Sequence, residues 1–414
     1  MHVVERFAAW AEAWRSQAIP DPVRHHARRA LIDWHAALIP GEAVPPATLL
    51  KKAFPQGDAR TQALIQATAA HSVEVDDIFR DGIYHAGAPT IAAVLALDKN
   101  APLRPIIVGY EISTRIAAAM GRAHYKYWHN TGTIGSFGAC AAAAEVLRLD
   151  KHHFSHALAT VTTFAAGLQQ AFRMDSMSKP LHAGHAAEAG VTAALAAREG
   201  VTGSLDVIEG EAGFGRAMGD GPDWDKALAT LGREFHITRM TFKNHACCGH
   251  TFAAIDGALA LKQRMGIAAR DIDEVRVGTY RAGVEVAHYD RPRTPAEARF
   301  SMKYVVASAL THGSVRLAAF EESRMRDAAT RSLMEKISVT LDPELDATFP
   351  RQRAARVAIS ARGRREEMVQ PTRKGDPDAP LSDAELEAKF LELAGPVLGA
   401  QAAKDLLSRL WKTE

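Results

Sequence analysis

Cysteine is scarce in this chain. Cys140 stands alone and Cys247 and Cys248 are adjacent, so three cysteines cannot build a disulfide framework. That usage fits a reducing compartment. Net charge is nearly absent too, at +2, so no strong field favours nucleic acid or a membrane surface. The basic clusters Arg351, Arg353, Arg356 and Arg362, Arg364, Arg365 have no interleaved aromatic rings for base stacking. They read as a solvated edge strand or turn. No apolar run reaches about 18 residues, so no membrane-spanning helix is expected. The opening residues Met1 to Arg6 lack the charged-then-apolar pattern of a secretory signal. Internal repeats and low-complexity tracts are missing. The expected location is the cytoplasm, with neither nucleic acid nor membrane as partner.

What is present is ordinary for a globular protein, with 47% hydrophobic and 24% charged residues. A length of 414 residues suggests two domains. Apolar residues recur at near-helical period over Phe7–Trp14, Pro22–Leu38, Ala59–His71, Ala88–Leu97, Leu103–Met120 and Gly138–Leu149. The alanine runs at 141–144 and 193–197 suit the inside of a helical bundle. Near residue 240 the character changes. Glu274–Tyr280, Ser338–Leu341 and Arg356–Ser360 read as strands, with helices expected over Ser301–Thr311 and Arg324–Glu335. After the turn at Lys374–Pro377, Ser382 and Glu385 form a capping box that opens another helix. The fold class expected is mainly α with an α+β lid. A large all-helical domain (1–241 and 375–414) is joined by a smaller α/β domain (242–374).

Ser176 to Gly190 is the stretch richest in chemistry. Lys179, His182 and His185 lie three apart where a polar loop becomes an alanine-rich helix, so they share one broad face. Gly184 lets backbone or ligand approach between them. Taken alone, the stretch allows an anion site, half a metal site or a decorated helix. The acidic segment Glu74, Asp76, Asp77, Asp81 with His85 allows a divalent metal, a weak echo of diphosphate-binding Asp pairs, or a helix-end cap. His129 to Gly138 offers backbone N–H groups before a helix, an anion cradle or a plain loop. Lys243 to His250 allows half a zinc site, a reactive cysteine or packed small residues. Arg299 and Lys303 share a helix face beside Tyr304, and Gly375 to Leu381 reads as a turn.

Taken together, and in order, these segments resemble the MmgE/PrpD family. The pieces are His71-Ser72-x-Glu74-x-Asp76-Asp77 with His85-Ala86-Gly87; His129-x-Thr131-Gly132 with Phe137-Gly138-Ala139; and Lys179 to Gly184 with Ala186 and Ala187. Gly210-x-x-Gly213-Phe214, Lys243 with Cys247, Cys248 and His250, Arg299-Phe300-Ser301-x-x-Tyr304, and Gly375-x-Pro377 with Leu381, Lys389 and Phe390 complete them. That family includes 2-methylcitrate dehydratase, cis-aconitate decarboxylase and iminodisuccinate epimerase. The resemblance implies a helical domain plus an α/β lid, a homodimer, and no iron–sulfur cluster, cofactor or metal.

The resemblance further implies catalytic roles for His85, His129, Lys179, Lys243 and Tyr304. Substrate binding would fall to Glu74, Asp77, Thr131, Gly132, His182, His185, His250 and Arg299. Three departures stand out: Glu74 where related decarboxylases have Asp, a loop one residue longer between Asp77 and His85, and Cys248 where some members have histidine. The leading expectation is a metal-independent hydro-lyase acting on a small citrate-like polycarboxylate by acid–base catalysis. A decarboxylase or an epimerase using the same pocket is the alternative. Further off stand a zinc hydrolase built on His182, His185, Cys247 and His250, and a non-catalytic binding protein.

Overall fold

The computed structural model describes residues 1–172, 176–349 and 351–414. It is mainly helical with one four-stranded mixed sheet, as the pattern of apolar periods predicts. The chain forms two compact units, Met1–Phe242 with Ser382–Glu414, and Lys243–Leu381.

The described residues of the first unit form helices and loops, joined by a few isolated β-bridges. At its centre the Ser178–Arg198 helix packs on the Ala59–Ala70 and Gly135–Val146 helices, and the latter packs on Gly87–Leu97 and Leu103–Tyr125. Small residues make this closeness possible. A Cβ on Gly184 would lie 2.2 Å from Thr68 Oγ1 and 2.6 Å from the Leu64 carbonyl. Gly184 therefore serves helix–helix contact, not ligand access. The C-terminal Asp383–Leu398 helix packs on Asp21–Gly41. It opens with the expected box, in which the Glu385 N–H donates to Ser382 Oγ and the Ser382 N–H to Glu385 Oε2. Its Lys389 is buried and donates to Asp33 Oδ1 at 2.6 Å and to the Val75 carbonyl at 2.7 Å. One buried cation thus ties the returning chain to the loop after His71.

The second unit holds the sheet. Strand β1 (Ile272–Thr279) lies between β2 (Ile337–Leu341), parallel to it, and β3 (Ala355–Ala361), antiparallel; β4 (Arg364–Gln370) is the far edge. β3 turns into β4 through Arg362 and Gly363, both at positive φ, a turn whose twist matches a hairpin. The arginine cluster at 362–365 is therefore a turn and a solvated edge. The Phe252–Met265 helix covers β3 and β4, and Met302–His312 packs beside it. The single helix expected over Arg324–Glu335 is two, Glu322–Met325 and Ala328–Met334. Asp327 breaks it by capping the second, accepting from the Thr330 N–H at 2.8 Å.

Candidate functional site

In the first unit, four imidazoles meet at the ends of three helices. His71 follows the Ala59–Ala70 helix, His85 precedes Gly87–Leu97, His129 caps a short turn at Asn130–Thr133, and His182 sits in the first turns of Ser178–Arg198. The rings form a row. His71 lies edge-on to His85 at 4.6 Å and stacks on His129 at 5.5 Å; His129 lies 5.2 Å from His182.

The loops that carry these rings are pinned. The His85 N–H donates to Thr131 Oγ1 at 3.3 Å, and Asn130 Nδ2 donates to the Gly82 carbonyl at 2.5 Å. Glu74 and Ile83 both sit in the left-handed region, at φ 60° and 48°. Such backbone costs about 1–3 kcal/mol per residue and persists only where the surroundings impose it.

The two adjacent aspartates do different work. Asp76 is buried, with Oδ2 2.7 Å from His71 Nδ1 and 3.0 Å from His85 Nδ1. Burial pushes its carboxyl up, but the charges of His85 and His71 and the His71 hydrogen bond outweigh that and hold it well below the usual range. Asp77 points the other way. Its oxygens accept from the Gly87 N–H at 3.0 Å and the Tyr110 hydroxyl at 2.7 Å. Burial, reinforced by Asp33, raises it to about 7. The structure thus places Asp77 in the core as an anchor for the Gly87–Leu97 helix.

Lys179 pairs with Glu74 through its Nζ and Oε1. His129 Nδ1 and His182 Nδ1 are 3.0 Å apart and share a hydrogen bond. Burial holds His129 well below the usual histidine value, helped by His71, Lys179, His182 and His85. Burial also lowers His182 to about 4, with His71, His185 and Lys179 contributing. His185 points elsewhere and donates from Nε2 to the Phe164 carbonyl at 3.1 Å.

The expected N–H cradle after His129 is corrected by the geometry. The Gly132 and Thr133 N–H groups donate to the His129 carbonyl at 2.8 and 3.1 Å, and the Ile134 N–H to Asn130 at 2.8 Å. They close a helical turn and are spent within it. Gly132 is needed for packing instead, since a Cβ there would lie 2.4 Å from the Ala166 carbonyl.

In the second unit the expected residues have the following surroundings. The Tyr304 hydroxyl donates to the Ala319 carbonyl, and burial raises its phenol to about 12. His250 Nδ1 meets the Tyr280 hydroxyl at 2.8 Å, and burial, with Arg353 and Arg373, lowers it to about 4. Cys247 Sγ lies 3.2 Å from Thr251 Oγ1, and burial pushes its thiol to about 12, against a reactive thiolate. Arg299 lies over the Phe320 ring at 5.1 Å, and its carbonyl accepts from the Cys248 N–H at 2.9 Å. Lys243 is 4% exposed.

Among the described residues, the His, Cys, Asp and Glu side chains whose donor atoms converge within 4.8 Å are His71, Asp76 and His85. None of the four residues of the zinc reading belongs to that group. The 2.7 Å contact from His71 to Asp76 is a hydrogen-bond length. Two ligands of one tetrahedral zinc, each at about 2.0–2.1 Å, would stand roughly 3.3 Å apart. The site-residue expectations passed over His71 and Asp76, although both lie in the quoted H-x-x-E-x-D-D pattern. Their meeting with His85 is the signal that sequence spacing did not carry.

Comparison with known proteins agrees with this architecture. The MmgE/PrpD N-terminal domain matches residues 5–227 and the C-terminal domain residues 245–413. The cis-aconitate decarboxylase-like protein oryM of Aspergillus oryzae is 25% identical, over 97% of this chain and 92% of its own. Human cis-aconitate decarboxylase is 26% identical over 83% of this chain and 74% of its own. The 2-methylcitrate dehydratase of Escherichia coli is 30% identical, but over 27% of this chain and 24% of its own.

Proposed function

From the premise that this chain is an enzyme of the MmgE/PrpD family, we propose that it is a lyase acting on a small, citrate-like polycarboxylate. It moves a proton at a carbon next to a carboxylate and expels the neighbouring hydroxyl as water. One observation carries this reading: a carboxylate-backed imidazole, Asp76 with His85, stands in one cluster with a second imidazole pair and a lysine.

His85 takes the carbon-bound proton, and the Asp76 carboxylate stabilises the imidazolium that forms. The pair His129–His182 delivers a proton to the departing hydroxyl. Burial holds both below the usual histidine value. A bound polyanion raises them, because negative charge nearby favours the protonated form. Lys179 shifts part of its charge from Glu74 to a substrate carboxylate and steadies the enediolate-like charge. Atoms balance: one proton leaves carbon, one joins the hydroxyl, and water and an alkene are the products.

A second reading, decarboxylation, is favoured by the relatives that match over most of their length, which are named for it. An imidazole of the His129–His182 pair, protonated from solvent when the polyanion binds, then gives its proton to the carbon that lost CO₂. Nuclear magnetic resonance in deuterated water, on a panel of citrate-like and unsaturated tricarboxylates, separates the two. Loss of water, or its addition to the alkene, supports dehydration. Release of CO₂ with deuterium at the vacated carbon replaces it with the second reading. A folded protein that changes no member of the panel sinks both.

A further inference from the structure

We propose that Asp76 is a positioning residue that holds His71 and His85 in one tautomer, with the proton on Nδ1 and the basic lone pair on Nε2. This rests on the reading of His85 as the acid–base group and adds what sets its chemistry.

Asp76 is 1% exposed. Its Oδ2 is hydrogen-bonded to His71 Nδ1 at 2.7 Å and stands 3.0 Å from His85 Nδ1. The latter is an ion-pair contact whose alignment falls short of a hydrogen bond but whose charge favours the proton on that nitrogen. An ionised carboxylate only accepts hydrogen bonds. Any proton on either line must therefore belong to nitrogen. A neutral imidazole carries one N–H, so both rings are left with Nε2 as acceptor. His85 could not serve as a base through Nε2 in the opposite tautomer.

His71 shares the arrangement more tightly. It is fully buried, its Nε2 has no hydrogen-bond partner among the described residues, and its ring contacts both His85 and His129. The same carboxylate thus sets one ring that works and one that keeps the row in place. Metal ligation would need wider spacing than the His71 contact allows, as noted above.

The Asp76→Asn variant tests this, with His85→Gln beside it. An amide both donates and accepts, so it no longer dictates the tautomer. The expected result is a fall in kcat of roughly 10²-fold or more, with KM changed only a few-fold. His85→Gln should fall at least as far. If His85→Gln keeps full activity, the acid–base reading of His85 fails. If His85→Gln is inactive while Asp76→Asn matches the parent, the role of Asp76 alone is overturned.

A second measurement needs neither turnover nor a folded Asp76 variant. Ring nitrogen–hydrogen correlations on histidine-labelled parent protein report each tautomer directly, with His71→Gln and His85→Gln assigning the signals. Both histidines should show a protonated δ nitrogen. An Nε2–H form at His85 overturns the proposal.

Discussion

The first unit and the second present the same residue types, buried to similar depth, in opposite company. In the first, titratable groups meet titratable groups: His71 and His85 meet Asp76, Lys179 meets Glu74, and His129 meets His182. In the second, Tyr304 spends its proton on the Ala319 carbonyl and His250 is bonded to Tyr280. His245 does meet a carboxylate, Asp256 at 2.9 Å, but that carboxylate is also fixed by the Lys374 N–H at 2.7 Å. A proton shared between two titratable groups can move at little cost. A proton given to a backbone carbonyl is part of the fold. Residue type is shared by the two units; what differs is how many titratable groups converge, several around His71 and His129 and single pairs in the second unit.

The largest expected effect tests that difference directly. Lys179→Met removes the cation paired with Glu74, and kcat/KM should fall by roughly 10²–10³-fold. Tyr304→Phe removes a hydroxyl committed to Ala319. It should cost about 1 kcal/mol of stability and change kcat less than five-fold or so. Steady-state kinetics and denaturant melts on both variants read the contrast. A Tyr304→Phe loss as large as that of Lys179→Met, without a stability change, would place the phenol in the chemistry and break the comparison.

A smaller effect separates Asp76 from its neighbour. Asp77 is raised to about 7, above its unfolded value near 3.9. Between these values the folded state holds a proton that the unfolded state has lost. Stability contributed by this group is therefore full below about pH 4 and falls as pH rises towards 7. The penalty above that point is at most about 4 kcal/mol, reduced by relaxation around Tyr110. Asp77→Asn carries no such charge. Its stability relative to the parent should rise between pH 4 and 7, measured by denaturant midpoints. A difference independent of pH would mean that Asp77 is ionised in the fold.

Much of this was legible in the chain. Period-two alternation marked β1, β2 and β3; β1 and β3 each bury a face, while in β2 only Ile337 is buried. β4 alternates exposed and half-buried residues, and its charged edge carries little apolar signal. Asp327 looked like one more polar position in a helix, although its side chain ends one and starts another. At the site, His85, His129 and Lys179 announced themselves by type and neighbourhood. The division of labour between Asp76 and Asp77 did not. It depends on Tyr110, 33 positions away in sequence, and on the helix end that brings His71 back to Asp76. Equally, the glycines after His129 suggested an anion cradle, and only the backbone path shows their N–H groups consumed in a turn.

The smallest effect is a fraction of a proton, and it tests the comparison most finely. Two histidines of similar depressed value stand in the two units: His182 at about 4 and His250 at about 4. Burial is the main cause for both. The next contributions differ. For His182 they are other titratable groups, His71, His185 and Lys179. For His250 they are the fixed charges of Arg353 and Arg373, and its Nδ1 is bonded to Tyr280. A polycarboxylate that draws on Lys179 cancels positive charge beside His182 and His129, so their values rise and the complex takes up protons near pH 6. Titration calorimetry in buffers of different ionisation heat measures that uptake. It should be net positive, diminish in His182→Gln and persist in His250→Gln. Uptake lost in His250→Gln and kept in His182→Gln would reverse the assignment of the responsive cluster to the first unit.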